Sequence, residues 1–265
     1  MITQDTEHHK YIIRSDKPRK PIQPIFWVDK KPIGTRGNIM CVSGPPKTCK
    51  TFVVSSIVTS LICGEWGNGK FAGKNSKVVW FDTEQDEGDA GNVYDRVSEL
   101  AGVRDGFTMY SLVGLDTFEI MRIIETVFMQ DDFDVIIIDS VLDLIESMND
   151  EKEAKNLVRK FQNLIKEKNC LMISVIHSNY ESSKLLGHFG SFLEKKGECS
   201  FYLQKSEDMF KVQCKNCRRE PFEDFHVMIK DGKLRLKKEV EMFGGLTPIS
   251  EVTNFYEKEN GELPF

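Results

Sequence analysis

Lys50 and Thr51 stand side by side at the end of the run Gly44-Pro45-Pro46-Lys47-Thr48-Cys49-Lys50-Thr51, and their types suit polyphosphate chemistry. An ammonium on a long stem reaches the β- and γ-phosphates, and the neighbouring hydroxyl holds Mg²⁺. An apolar segment, residues 38–43, precedes the run and reads as a buried strand. Residues 52–63 follow it, long enough for a helix and closed by Gly64. Strand, tight loop, Lys-Thr and helix make a phosphate-binding loop, in which backbone N–H groups of the loop and first helical turn converge on an anion. The run departs from the usual pattern at Cys49, where glycine is expected. Glycine lets the backbone take any φ and lie close against phosphate, and a Cβ with a thiol would crowd that approach.

Three further polar residues end apolar segments. Lys77-Val78-Val79-Trp80-Phe81 leads into Asp82-Thr83-Glu84-Gln85, Phe133-Asp134-Val135-Ile136-Ile137-Ile138 into Asp139-Ser140, and Cys170-Leu171-Met172-Ile173-Ser174-Val175-Ile176 into His177-Ser178-Asn179. Runs this apolar on both faces predict central parallel strands, and ligands bind at the carboxyl ends of such strands. One twisted sheet would bring Lys50, Thr51, Glu84, Asp139 and His177 to one edge. The roles expected there are a phosphate cradle at residues 44–51, a metal partner in Thr51 and Asp139, a water-polarising carboxylate in Glu84, and a polar γ-phosphate sensor in His177.

The rest of the chain must position these groups. At 265 residues, with 40% hydrophobic and 29% charged, it can bury one good core. The net charge of −5 carries no global basic signature of a nucleic-acid binder, although a ring can confine positive charge to its channel. The polar amino terminus lacks the apolar core of a signal peptide and no run is long enough to span a membrane, so a cytoplasmic protein without membrane contact is expected. The seven cysteines read as free thiols, with Cys41, Cys63 and Cys170 as small core residues. Cys214-Lys215-Asn216-Cys217 has a suggestive spacing, but no second Cys or His pair lies at a convincing distance, even counting Cys199 and His226, and no zinc is expected.

Residues 1–24 form a polar, proline-punctuated arm, read as flexible or as reaching a neighbouring subunit or a nucleic-acid backbone. Residues 25–240 form the main domain and 241–265 a tail. A small hairpin is expected over 25–34 and irregular chain over 64–70. Helices are expected over 93–100, 117–129 and 153–168, with a strand over 107–112. Residues 180–198 read as a Ser/Gly/Lys loop with a short helical piece at 191–194. Short alternating strands then predict antiparallel additions to the parallel core.

On these motifs the sequence resembles the RecA-like P-loop ATPases, and within them the RepA type of hexameric replicative helicase carried by plasmids and mobilisable elements. The resemblance covers about residues 25–237. It implies an α/β fold with a mostly parallel central sheet flanked by helices, and antiparallel strands on the C-terminal side. It implies ATP and Mg²⁺ as ligands, Glu84 as catalytic carboxylate, and a ring-shaped homo-oligomer acting on single-stranded DNA beside a primase or relaxase. Residues 215–221 resemble the segment that reaches a neighbour's γ-phosphate, with Lys215 and Arg218 as candidates and Arg219 as a rival. Residues 179–191, with Lys184, sit where such proteins keep a DNA-contacting loop, and equally read as an ordinary surface loop. The departure at Cys49 keeps open a nucleotide-gated regulatory module with little turnover. A small-molecule kinase is disfavoured, because no acceptor site or Arg-rich lid is legible.

Overall fold

The computed structural model describes residues 12, 13, 15, 16, 18–103, 105–179 and 183–237. The expected tail at 241–265 lies outside them, as does much of the expected arm.

The apolar runs become strands, and their order decides which turns meet at the carboxyl edge of the sheet. A nine-stranded sheet contains β3 (Ile39–Gly44), β6 (Val78–Asp82), β7 (Phe107–Ser111), β8 (Val135–Asp139), β9 (Leu171–His177), β10 (Cys199–Ser206), β11 (Met209–Cys217), β12 (Phe225–Lys230) and β13 (Lys233–Leu236). Its order is β13-β12-β11-β10-β3-β9-β8-β6-β7. The six strands from β10 to β7 run parallel, and β11, β12 and β13 extend the β10 edge as an antiparallel meander. Every residue of β3, β6 and β8 is buried, as a parallel strand covered on both faces requires. β9 lies between β3 and β8, with Gly44 opposite His177 and Asp139 opposite Val175. The phosphate loop, His177 and Asp139 therefore leave the sheet side by side.

Helices cover both faces. α1 (Lys50–Cys63) and α2 (Glu87–Ala101) pack on one, and α3 (Thr117–Gln130), α4 (Glu151–Glu167) and α5 (Gly187–Lys196) on the other. Asp86, Asp116 and Asp150 cap α2, α3 and α4 by accepting backbone N–H bonds of the first turn, each such cap contributing about 1 kcal/mol. Burial in α3 falls on Ile120, Ile124, Val127 and Phe128, at the predicted helical spacing.

Beside α1 lies a second, four-stranded sheet with the order β2-β1-β5-β4. It joins the predicted hairpin, β1 (Pro24–Val28) and β2 (Lys31–Thr35), to β4 (Glu65–Trp66) and β5 (Phe71–Gly73). The Gly-rich connector after α1 is thus not irregular throughout. β4 falls inside it and β5 directly after it, and both exist because β5 pairs with β1, Phe26 opposite Gly73, and with β4. Phe26, Phe71 and Phe201 are fully buried where this sheet meets β10, each contributing about 1.5–3 kcal/mol through burial. Phe222 packs on Phe201 with ring centroids 4.6 Å apart.

α5 also runs longer than the expected helical piece and takes up the second half of the expected loop at 179–191; residues 180–182 lie outside the described residues. Gly190 sits within α5, where a Cβ would come 2.6 Å from Leu185 Cβ. The lack of a side chain lets the helix press on that contact. Cys63, expected in the core, is exposed at the end of α1, while Cys41 and Cys170 are buried. Among the described residues no helix is long and apolar enough to cross a membrane.

Candidate functional site

The phosphate loop connects β3 to α1 in eight residues. Gly44 must be glycine, because a Cβ would lie 2.5 Å from Leu203 O and 2.7 Å from Thr48 Oγ1. The Thr48 hydroxyl donates to Pro45 O at 2.7 Å and holds the turn. Lys47 and Cys49 take left-handed backbone conformations, with φ of 62° and 57°. Cys49 immediately precedes α1 and makes no capping hydrogen bond with its side chain. It therefore has the backbone that glycine would adopt most readily there. Burial pushes its thiol up to about 12, so the group beside the cradle is a neutral thiol.

Lys50 is buried and folds back over the loop. Its Nζ donates to Gly44 O at 3.2 Å and Pro45 O at 3.0 Å, and lies 3.1 Å from His177 Nδ1. His177 Nε2 is 2.9 Å from Glu84 Oε1. An ammonium can only donate, so Nδ1 accepts from Lys50 and the ring proton sits on Nε2, directed at Glu84. Lysine, imidazole and carboxylate form one hydrogen-bonded chain across three strand ends. Burial lowers the Lys50 pKa, with Asp139 and Glu84 pulling the other way. The hydrogen bond from His177 holds the Glu84 carboxyl below the usual carboxylate range, against burial.

Asp139 has a different environment. It is 4% exposed, and its Oδ2 has no hydrogen-bond partner. Burial, reinforced by the Asp82 and Glu84 charges, raises its carboxyl well above the usual range. An orphaned carboxylate oxygen in such a place suits a cation. Asp139 and Thr51 both line the cavity around the phosphate loop, and an Mg²⁺ ion fits this donor set. The peptide bond between Asp139 and Ser140 is cis.

That cavity measures ≈ 340 Å³ and is lined by the loop from Lys47 to Thr51 together with Glu84, Gln85, Arg96, Asp139 and His177. Lys50 and Thr51, Glu84, Asp139 and His177, from four separate stretches of the sequence, meet there. Gly44, Pro45 and Pro46 form the preceding bend.

Arg218 is not brought to this cavity. Cys199 pairs with Met40 on one side and Cys217 on the other, which puts the end of β11 at the amino edge of the parallel strands, opposite the phosphate loop. Arg218 is exposed, and its Nη2 donates to Lys196 O at 2.9 Å. Arg219 is ion-paired with Glu198, which is 2% exposed. Lys215 pairs with Glu194 at 2.7 Å. Lys184 is exposed beside the bridge between Ser178 and Leu185.

Three site features go beyond the expected set. Asp82 is fully buried, and its Oδ1 accepts from the backbone N–H of Glu84 at 3.0 Å and of Gln85 at 2.8 Å, while Oδ2 accepts from Gln85 Nε2 at 2.7 Å. It folds the turn that aims Glu84. Thr83 Oγ1 donates to Asp143 Oδ2 at 2.6 Å and accepts from Ser140 N–H at 2.9 Å, tying the turns after β6 and β8 together. Arg96 of α2 reaches the cavity with its guanidinium 3.9 Å from the Phe52 ring centroid, and its Nη1 is buried without a partner. A free buried N–H donor beside a phosphate loop suits an anionic ligand. The available sequence sign was an arginine between Val93 and Val97 on the buried face of α2.

The family profile described as AAA domain matches residues 12–183, more than half of the chain, and spans the phosphate loop, Glu84, Asp139 and His177. No curated protein matches the sequence. With that match, a phosphate loop on the central strand of a mostly parallel sheet, and a polar cavity at its carboxyl edge, the chain belongs to the AAA domain family of P-loop ATPases.

Proposed function

We propose that this ATPase is a ring-forming, DNA-acting motor of the replicative-helicase type, serving a plasmid or other mobile element. The observation that carries the reading is the chain Lys50–His177–Glu84 beside the unpartnered Asp139 oxygen. It couples a phosphate-reaching cation to a carboxylate through a group able to report whether a γ-phosphate is present.

In this reading ATP lies along residues 44–51, with loop and helix N–H groups on its phosphates. Lys50 leaves the Gly44 and Pro45 carbonyls for the β- and γ-phosphates. Thr51 and Asp139 would hold Mg²⁺, which would supply charge neutralisation for the phosphoryl oxygens. Glu84 is kept ionised by its lowered pKa and polarises the attacking water. His177, losing Lys50 when the γ-phosphate takes it, changes its hold on Glu84. Arg218 of a neighbouring copy supplies positive charge in trans, which agrees with its exposure and its distance from its own phosphate loop. Single-stranded DNA is the proposed substrate track, and a primase or relaxase a proposed partner.

Measuring ATP turnover with and without single-stranded DNA, alongside sedimentation with ATP, tests this. DNA stimulation and a ring are expected; a chain that stays monomeric at high concentration with ATP contradicts the trans role. The left-handed Cys49 favours a second reading, a nucleotide-gated module with slow turnover, and tight ATP binding without DNA-stimulated hydrolysis would select it.

A further inference from the structure

Cys199, Cys214 and Cys217 bring their sulfur atoms within 4.8 Å of one another. They lie outside the family-matched residues 12–183 and at the sheet edge opposite the phosphate loop. Nothing in the ATPase reading uses them. Cys214 and Cys217 are three residues apart on one strand, so plain alternation would turn them to opposite faces. A bulge prevents this. Ser200 pairs with Asn216 but Phe201 pairs with Cys214, which leaves Lys215 without a counterpart and returns both thiols to the face shared with Cys199. All three then pack against the same core as Phe201 and Phe222.

We propose that this cluster is a zinc site, with the three cysteines as thiolate ligands and solvent at the fourth corner. Zinc–thiolate bonds are about 2.3 Å, so the edge of a tetrahedron of sulfurs around zinc is about 3.8 Å. Cys199 Sγ and Cys214 Sγ are 3.8 Å apart. A disulfide needs a separation of about 2.05 Å and leaves the third thiol out. Cys199 is 1% exposed, whereas Cys214 and Cys217 are half-buried, so an ion can enter from the β11 side. Zinc here would pin β10 to the end of β11 and fix the turn at 218–222, whose Glu220 and Pro221 O both contact Lys31 on β2.

The test uses the full chain, purified with a reductant and then given Zn²⁺ alone. One equivalent of zinc per chain is expected after desalting. Co²⁺ in its place should give the thiolate-to-metal charge-transfer absorption of a tetrahedral site. Cys217→Ser and Cys214→Ser, both at partly exposed positions, should lose the stoichiometric zinc and the cobalt absorption while keeping their far-UV circular dichroism. Cys63→Ser, away from the cluster, should keep both. Wild-type chain that retains no zinc, or Cys217→Ser that retains a full equivalent, overturns the proposal. So does a Cys199–Cys214 disulfide in peptide mass spectra as the cluster's only stable state.

Discussion

Replacing Cys49 in turn by glycine and by alanine reads the phosphate loop's backbone directly. Cys49 has φ 57° and ψ 24° just before α1. For an L-residue this left-handed conformation costs about 1–2 kcal/mol, a cost glycine escapes. Glycine in exchange loses about 0.4–1 kcal/mol through the greater freedom of its unfolded chain. Both variants lose the burial of the thiol side chain, so that contribution cancels between them. Cys49→Gly should therefore be more stable than Cys49→Ala by about 0.5–1 kcal/mol. Helix propensity alone predicts the opposite order by about 1 kcal/mol, so the sign is decisive. Urea unfolding of the two purified variants, with equal m-values, gives the difference. An alanine variant at least as stable as the glycine variant refutes the left-handed loop and the argument built on it.

Other outcomes follow from the same geometry. Arg219→Ala strands the buried Glu198 carboxylate with Thr35 as its remaining side-chain partner, and should cost about 3–5 kcal/mol; Arg218→Ala, at an exposed position, should stay within about 0.5 kcal/mol, both by urea unfolding. Asp139→Asn should stabilise the nucleotide-free protein at neutral pH. A carboxyl with a raised folded pKa loses stability as pH rises from its unfolded to its folded value, and asparagine removes that loss; thermal unfolding across pH checks that the variant's profile flattens in that window. Glu84 works in the other direction. Its depressed pKa gives stability that is present above the unfolded value and lost as pH falls through the folded one. His177→Ala removes the leading cause, so the acid limb of the pH–rate profile should move to higher pH, and an unmoved limb contradicts the His177–Glu84 pairing.

The parallel core was legible because its chemistry is local. Apolar runs such as Val135-Ile136-Ile137-Ile138, ended by a polar residue, name both a buried strand and the end that reaches the cavity. The meeting of Lys50, Glu84, Asp139 and His177 follows from strand direction alone. What escaped depends on contacts that no run or periodicity marks. β4 and β5, two and three residues long among glycines, exist because β5 pairs with β1 and with β4. α5 contains Gly187 and Gly190, poor helix formers, and forms because Gly190 fits against Leu185. Asp82 and Glu84 are both acids after one strand, and the hydrogen bonds that make one the turn former and leave the other facing the cavity have no sequence mark. The grouping of Cys199 with Cys214 and Cys217 depends on a bulge at Lys215 that neither strand announces.

In the proposed function, Lys50 and Glu84 serve one triphosphate. Steady-state hydrolysis of Mg-ATP by the wild-type chain, Lys50→Ala and Glu84→Gln, each with folding checked by circular dichroism, tests it most directly. Loss of a preorganised cation at the phosphates should lower kcat by about 10²–10³-fold, and loss of the water-polarising carboxylate by about 10²–10⁴-fold. Glu84→Gln should still bind ATP. Hydrolysis at the wild-type rate in either folded variant would take that residue out of the reaction.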